Sequence, residues 1–122
     1  MNREILFRGK RLDNNEWVYG FYSNAKGENG RFHYIQDEIS FVRVDPSTVG
    51  QYTGITDKND KKIFEGDIID LGNKVPSVVV FDEDAASFYL KPRGLFSQAF
   101  NDLYNVIGNI YDNKELIPQE DV

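Results

Sequence analysis

Apolar and polar residues alternate through the first half of the chain, and this period of two predicts antiparallel strands. Alternating runs lie at residues 5–7 and 17–22, on either side of an Asn-rich polar break, which predicts a hairpin. The runs at 32–35 and 39–44 predict a second hairpin. We therefore expect residues 1–50 to form an N-terminal region of β-hairpins.

Short apolar runs between turn formers continue through the second half. They predict strands at residues 51–56, 62–64, 68–71, 78–81, 88–90 and 106–111. The run at 78–81 is continuously apolar, as in a strand that is buried on both faces. Short strands at this spacing suggest a small β-barrel over residues 51–122, packed with the N-terminal hairpins as one compact unit.

Helical signals are confined to short turns. Residues 45–50 fit a single helical turn, because Asp45 can cap its start, Pro46 suits its first position and Gly50 can end it. Apolar residues at helical spacing and a capping Asn113 predict further turns, over residues 95–103 and 114–117. The overall prediction is a mostly β protein with helix limited to such turns.

Composition excludes several kinds of site. The chain has no cysteine and one histidine, His33, which excludes a thiolate nucleophile, a Cys-based zinc site and a multi-histidine metal site within one chain. Asp57 begins a stretch that resembles a calcium loop, but Lys61, Lys62 and Ile68 stand where two ligands and a glycine belong. No catalytic motif and no apolar run of membrane-spanning length stands out. We expect a non-enzymatic protein without metal or cofactor, in a reducing cytoplasm.

Two groups of residues are candidates for binding. The first is aromatic and comprises Trp17, Tyr19, Tyr22, Tyr34 and Tyr52. These residues either pack in the core or form a surface for another protein or a second copy, since Tyr and Trp supply much of the affinity at interface centres. The second group is basic and comprises Arg3, Arg8, Lys10 and Arg11. These cations either are solvated at a strand edge or contact nucleic acid, against which the net charge of −6 acts.

A family resemblance rests on stretches that span nearly the whole chain. They are residues 3–11 with 17–20, residues 45–54, residues 57–68 and residues 107–113. In content and order these stretches resemble the YopX family of phage and prophage proteins. The resemblance implies an origin in a phage or prophage genome and an SH3-type barrel in the C-terminal half, and it implies no particular activity. The chain has Asn59-Asp60 where the family usually has Asn-Gly, which predicts a longer or wider turn.

Three functions are compatible with these features. The first is a phage or prophage accessory protein that binds an unknown phage or host protein, or a second copy of itself, in the cytoplasm of a bacterial host. The alternative is a nucleic-acid-associated protein that uses the basic hairpin. A hydrolase or nuclease built from scattered carboxylates such as Asp67, Asp70 and Asp82 is a third reading.

Overall fold

Strands dominate residues 4–72, 75–92 and 94–117, which the computed structural model describes. They are β1 (Phe7–Arg11), β2 (Trp17–Gly27), β3 (Gly30–Gln36), β4 (Phe41–Thr56), β5 (Lys62–Phe64), β6 (Asp67–Asp70), β7 (Ser77–Asp82), β8 (Ser87–Lys91) and β9 (Asn105–Asn109). Two 3₁₀ helices span Gln98–Leu103 and Lys114–Leu116. The predicted mostly β fold is therefore confirmed. The chain divides into two units, Met1–Tyr52 and Thr53–Val122.

In the N-terminal unit, the first four strands pair in a closed cycle. β1 pairs with β2, β2 with β3 and β3 with β4, and β4 returns to pair with β1, every pair being antiparallel. Ile35 and Val44 lie inside this barrel, each 1% exposed. Gly20 allows β2 to approach β3 closely, because a Cβ there would overlap the carbonyl oxygen of Gln36. A closed small barrel thus occurs where the sequence indicates only hairpins.

The predicted helical turn at residues 45–50 is wrong, since this segment belongs to β4. Arg8 of β1 lies opposite Gly50 and Lys10 lies opposite Asp45, so the register shifts between these two pairs and residues 45–50 bulge out of the strand. Asp45 Oδ1 accepts hydrogen bonds from N and Oγ of Ser47 (3.0 and 2.8 Å), and Lys10 N donates to Thr48 Oγ1 at 2.8 Å. The Asp-Pro-Ser sequence makes a local turn, but the bond from Lys10 keeps it in the sheet.

The C-terminal unit contains the end of β4, its neighbour β5, and a four-stranded antiparallel sheet in the order β8-β7-β6-β9. The core residues are at most 2% exposed and comprise Ile63, Ile69, Val79, Leu90 and Tyr104. The Tyr104 hydroxyl accepts from Ser97 N at 2.9 Å and donates to Ser97 O at 3.2 Å. Ser97 Oγ caps the helix by accepting from Ala99 N. The helical turn predicted within 95–103 therefore forms and is tied to the core.

Two details of the C-terminal unit differ from the predictions. β7 is not buried on both faces, because Ser77 and Val79 are 0% exposed whereas Val78 and Val80, on the other face, are half-buried. Its apolar run turns one face to the core and the other outward. Asn113 makes no side-chain capping bond to the last helix; instead its Oδ1 accepts from Asn109 N at 3.1 Å.

The turn between β4 and β5 is wider than a two-residue turn, as the departure from Asn-Gly predicts. Asp57 N donates to Lys61 O at 2.8 Å, and Asp60 has a φ of +63°. Asp57 Oδ1 accepts from the backbone N of Asn59 and Lys61 (2.8 and 3.0 Å), and Oδ2 accepts from Val106 N at 3.1 Å. The Asp57 carboxylate therefore ties this turn to β9.

Candidate functional site

Aromatic side chains gather on the outer side of β2, β3 and β4. The register places Phe21 of β2 opposite Gln36 of β3 and Gln36 opposite Phe41 of β4; it also places Tyr34 opposite Arg43. Residues opposite one another share a sheet face, as do residues two apart on one strand. This outer side carries a set that we call the aromatic face: Phe21, Phe32, Tyr34, Phe41 and Arg43.

The aromatic face is exposed to solvent. Phe21 is 66% exposed and Phe41 is 58% exposed. Arg43 is exposed as well, and the remaining two rings are half-buried. The opposite side of the same strands carries Ile35 and Val44, which are buried in the barrel. Exposed aromatic side chains that adjoin one another on one sheet face are typical of interaction sites.

Contacts among its members hold the aromatic face in place. The rings of Tyr34 and Phe41 stack, with centroids 4.4 Å apart and planes 16° apart. The guanidinium carbon of Arg43 lies 4.4 Å from the ring centroid of Phe32, within the range of a cation–π interaction. Because these rings are already packed, a partner loses little side-chain entropy on binding them.

The turn between β3 and β4 presents Ile39 two residues before Phe41. Asp37 Oδ1 accepts from the backbone N of Ile39 and Ser40 (2.9 and 2.6 Å), and Asp37 N donates to Ser40 O at 3.0 Å. Ile39 is 94% exposed. Hydrogen bonds within the turn thus fix its backbone and leave an aliphatic side chain in solvent.

Trp17 and Tyr19 continue along β2 on the same side as Phe21. They lie opposite Lys10 and Arg8 of β1 respectively. The Arg8 guanidinium carbon is 4.6 Å from the Trp17 ring centroid, and Lys10 Nζ is 5.4 Å from it. Two of the predicted aromatic residues therefore adjoin two of the predicted basic residues. Tyr19 is 47% exposed, whereas Arg8 is only 5% exposed.

The apolar surface continues into a depression of about 450 Å³. Its lining residues are Arg11, Leu12, Asp13, Phe41, Val42 and Arg43. Arg11 Nε and Nη2 donate to the two carboxylate oxygens of Asp13, each bond being 2.8 Å. These hydrogen bonds are the main cause of the raised pKa of Arg11 and the lowered pKa of Asp13. Leu12 is 52% exposed beside this ion pair.

The other predicted residues lie apart from the aromatic face. Tyr22 is on the inner side of β2, where its ring centroid is 5.7 Å from that of Phe7 and its hydroxyl is 2.6 Å from His33 Nδ1. Tyr52 is 8% exposed. Arg3 lies outside the described residues.

Of the predicted aromatic group, Tyr34 is the member that belongs to the aromatic face. Sequence reasoning missed Phe21 and Phe41. Phe21 could have been found, because it stands two residues after Tyr19 on one strand and must share its face. Phe41 joins the surface through the pairing of β3 with β4, and that register is not readable from the sequence.

The scattered carboxylates accept hydrogen bonds from the backbone of their own turns. Asp67, Asp70 and Asp82 each accept a hydrogen bond of 2.8 or 2.9 Å from a backbone N–H no more than three residues away. In the part of the chain that the structure describes, no group of three or more His, Asp or Glu residues could hold a metal ion. Over the same residues, no helix is long and apolar enough to cross a membrane. The absence of enzymatic activity stays a prediction.

Comparison with known proteins identifies the lineage. The family described as YopX protein matches residues 6–118, so the chain belongs to the YopX family. Among solved structures, the crystal structure of protein EF1440 from Enterococcus faecalis is similar, with a TM-score of 0.61, 21% sequence identity, and coverage of 96% of this chain and 100% of that chain. At this identity the likeness shows a shared fold alone. No curated protein matches the chain.

Proposed function

We propose that this chain is a non-enzymatic protein-binding module of phage or prophage origin, acting in the cytoplasm of a bacterial host through its aromatic face. The observation that carries the proposal is the exposed cross-strand row from Phe21 through Gln36 to Phe41. Aromatic residues and arginine are enriched at the centres of protein interfaces, where a few of them supply most of the binding energy.

Core packing does not account for this row. Residues that stabilise a barrel interior are excluded from solvent, as Ile35 is, whereas Phe21 and Phe41 remain more than half exposed. An exposed phenyl ring gains little by folding, since the apolar area that it removes from water is small. Binding of a partner would bury that area.

The test compares two altered proteins with the unaltered chain. A tagged chain is incubated with lysate of the bacterium that encodes it and is chemically crosslinked to the proteins that it binds. Mass spectrometry then identifies these partners. We expect Phe21→Ser combined with Phe41→Ser to lose a partner that the control Tyr89→Ser retains. Tyr89 suits the control because it is an aromatic strand residue, 38% exposed, in the C-terminal unit.

Thermal unfolding decides whether the variants are comparable. Both should melt close to the unaltered chain, because substitutions at exposed sites usually change stability by less than about 0.5 kcal/mol. A folded double variant that keeps every crosslinked partner would contradict the proposal.

Nucleic-acid association is the second candidate, favoured by the contacts of Arg8 and Lys10 with Trp17. Against it, Arg8 is buried and Arg11 is paired with Asp13. We expect no measurable binding of duplex DNA at about 150 mM salt, since few phosphates could be neutralised. Micromolar affinity that Lys10→Glu abolishes would promote this candidate.

A further inference from the structure

Charge is distributed unequally along the chain. Residues 1–52 contain seven Lys or Arg and seven Asp or Glu, whereas residues 53–122 contain seven and thirteen. The net charge of −6 therefore belongs to the C-terminal unit. Within the N-terminal unit, the strands are basic: β1 to β4 carry Arg8, Lys10, Arg11, Lys26, Arg31 and Arg43. Asp45 is their single carboxylate.

The positive charge of the aromatic face is carried by Arg43, which is exposed. β2 and β3 contain no Asp or Glu. Asp45 Oδ1 accepts two hydrogen bonds from Ser47, and Asp37 accepts two from its own turn. Glu38 is at the same turn. Asp13 lines the depression together with Phe41 and Arg43, and its carboxylate is paired with Arg11. Arg43 therefore gives an otherwise apolar surface a positive local potential.

The ring contacts distinguish between two kinds of acidic partner. Bases of single-stranded nucleic acid bind by stacking on open aromatic faces. Here Arg43 covers one side of the Phe32 ring, and the stacked Tyr34 and Phe41 each cover one side of the other's ring, so fewer ring faces remain open for stacking. Apolar side chains and carboxylates need no open stacking platform, because they pack against ring edges and pair with the guanidinium.

We infer that the partner presents an acidic and apolar polypeptide segment to the aromatic face. Its apolar side chains lie against Phe21 and Phe41, and a carboxylate pairs with Arg43. Charge complementarity carries this assignment, since a carboxylate on the partner complements the exposed Arg43 on the aromatic face, whereas a basic competitor is repelled by it. The inference rests on the proposed function and adds the chemistry of the partner.

A random peptide library, selected on the purified full chain, tests it. We expect the selected sequences to be enriched in Asp and Glu together with Leu or Phe, relative to the unselected library. Peptides selected without enrichment in acidic residues, or tighter binding of an oligo-dT probe than of any selected peptide, would overturn the inference.

Point variants then test whether Arg43 supplies the positive charge that a selected peptide binds. The affinity of a selected peptide, measured by fluorescence polarisation, should fall about tenfold in Arg43→Glu. A change of this size is what the loss of one ion pair between the peptide and the chain is expected to cause. The control is Arg31→Glu, the same charge change on the neighbouring strand β3 and on the opposite face of the sheet, where Arg31 donates to Asn24. It should leave affinity within about twofold, a change well below one ion pair.

The variants also separate this inference from the proposed function. If Arg43→Glu leaves affinity unchanged while Phe21→Ser with Phe41→Ser abolishes it, the face binds protein but the acidic assignment is wrong. If neither change matters, the proposed function fails as well. Concentration-dependent self-association that Arg43→Glu removes would assign the face to a second copy and overturn the inference.

Discussion

Replacing Asp57 by alanine removes one carboxylate that holds the β4–β5 turn against β9. The carboxylate is buried, at 2% exposure, and accepts from three backbone N–H groups, of Asn59, Lys61 and Val106. Two of these donors lie in an exposed turn where water can replace the lost acceptor. The Val106 N–H lies 49 residues away on a half-buried strand and has no such ready substitute.

The expected loss follows from these environments. A hydrogen bond to a charged group contributes about 1.5 to 3 kcal/mol, and a buried donor left without an acceptor costs about 1 to 3 kcal/mol. Counting the Val106 bond fully and the two turn bonds in small part, we expect Asp57→Ala to lower the free energy of unfolding by about 2 to 3 kcal/mol. In urea, the midpoint should fall by about 1 to 2 M for a chain of this size.

The pH dependence provides a second test of the same carboxylate. Burial raises the pKa of Asp57, but hydrogen bonds from Val106, Lys61 and Asn59 and the charge of Lys61 together lower it below the ordinary value of 3.8. A pKa that is lower in the folded state stabilises the fold above the unfolded-state pKa, and this contribution is lost as pH falls through the folded-state pKa. The stability gap between the unaltered chain and Asp57→Ala should therefore be full near neutral pH and shrink below about pH 4.

Asp57→Asn separates the contributions of the two carboxylate oxygens to stability. The amide can keep an acceptor oxygen toward the turn but then directs an NH₂ group at the Val106 N–H. We expect most of the alanine loss to persist in this variant. Full stability in Asp57→Asn, or a stability gap for Asp57→Ala that is constant from pH 7 to 3, would refute the account.

Three further predictions concern the turns and the barrel. Gly66→Val should cost about 1 to 3 kcal/mol in urea unfolding, because Gly66 has a φ of +91° and a Cβ there would lie 3.1 Å from the Tyr111 ring; an unchanged midpoint would contradict it. Gly20→Ala should disrupt the N-terminal unit by forcing β2 away from the Gln36 carbonyl, seen as lost dispersion of its NMR signals, whereas native-like spectra would show that the strands can separate cheaply. Calorimetry should detect no tight Ca²⁺ binding, since Asp57 already accepts backbone N–H groups; sub-micromolar affinity would reverse this.

Local patterns predicted most strands, because apolar alternation and turn residues act over a few positions. The segment at 45–50 shows where this reasoning stops. An Asp-Pro-Ser sequence such as residues 45–47 can form the same short-range hydrogen bonds at the start of a helix and at a bulge in a strand. The bond from Lys10 N to Thr48 Oγ1, across 38 residues, decides between them.

The candidate site was predictable to a similar extent. Period two places Trp17, Tyr19 and Phe21 on one side of β2, and the structure agrees. The closure of β4 onto β1 and the alignment of Phe41 with that side depend on register, which long-range pairing determines. The cation–π contact of Arg43 with Phe32 likewise has no sequence signal.

Trp17 is the only tryptophan in the chain, and it lies in β2 of the N-terminal unit. Indole emission therefore reports opening of the β1–β2 pair, with no contribution from residues 53–122. Circular dichroism averages over the backbone of both units. If the urea curves from emission and circular dichroism coincide, the chain unfolds in one cooperative transition. If the emission changes at a lower urea concentration, the N-terminal unit unfolds by itself. In the second case, a peptide bound to that unit would shift the emission curve and leave the later transition in place.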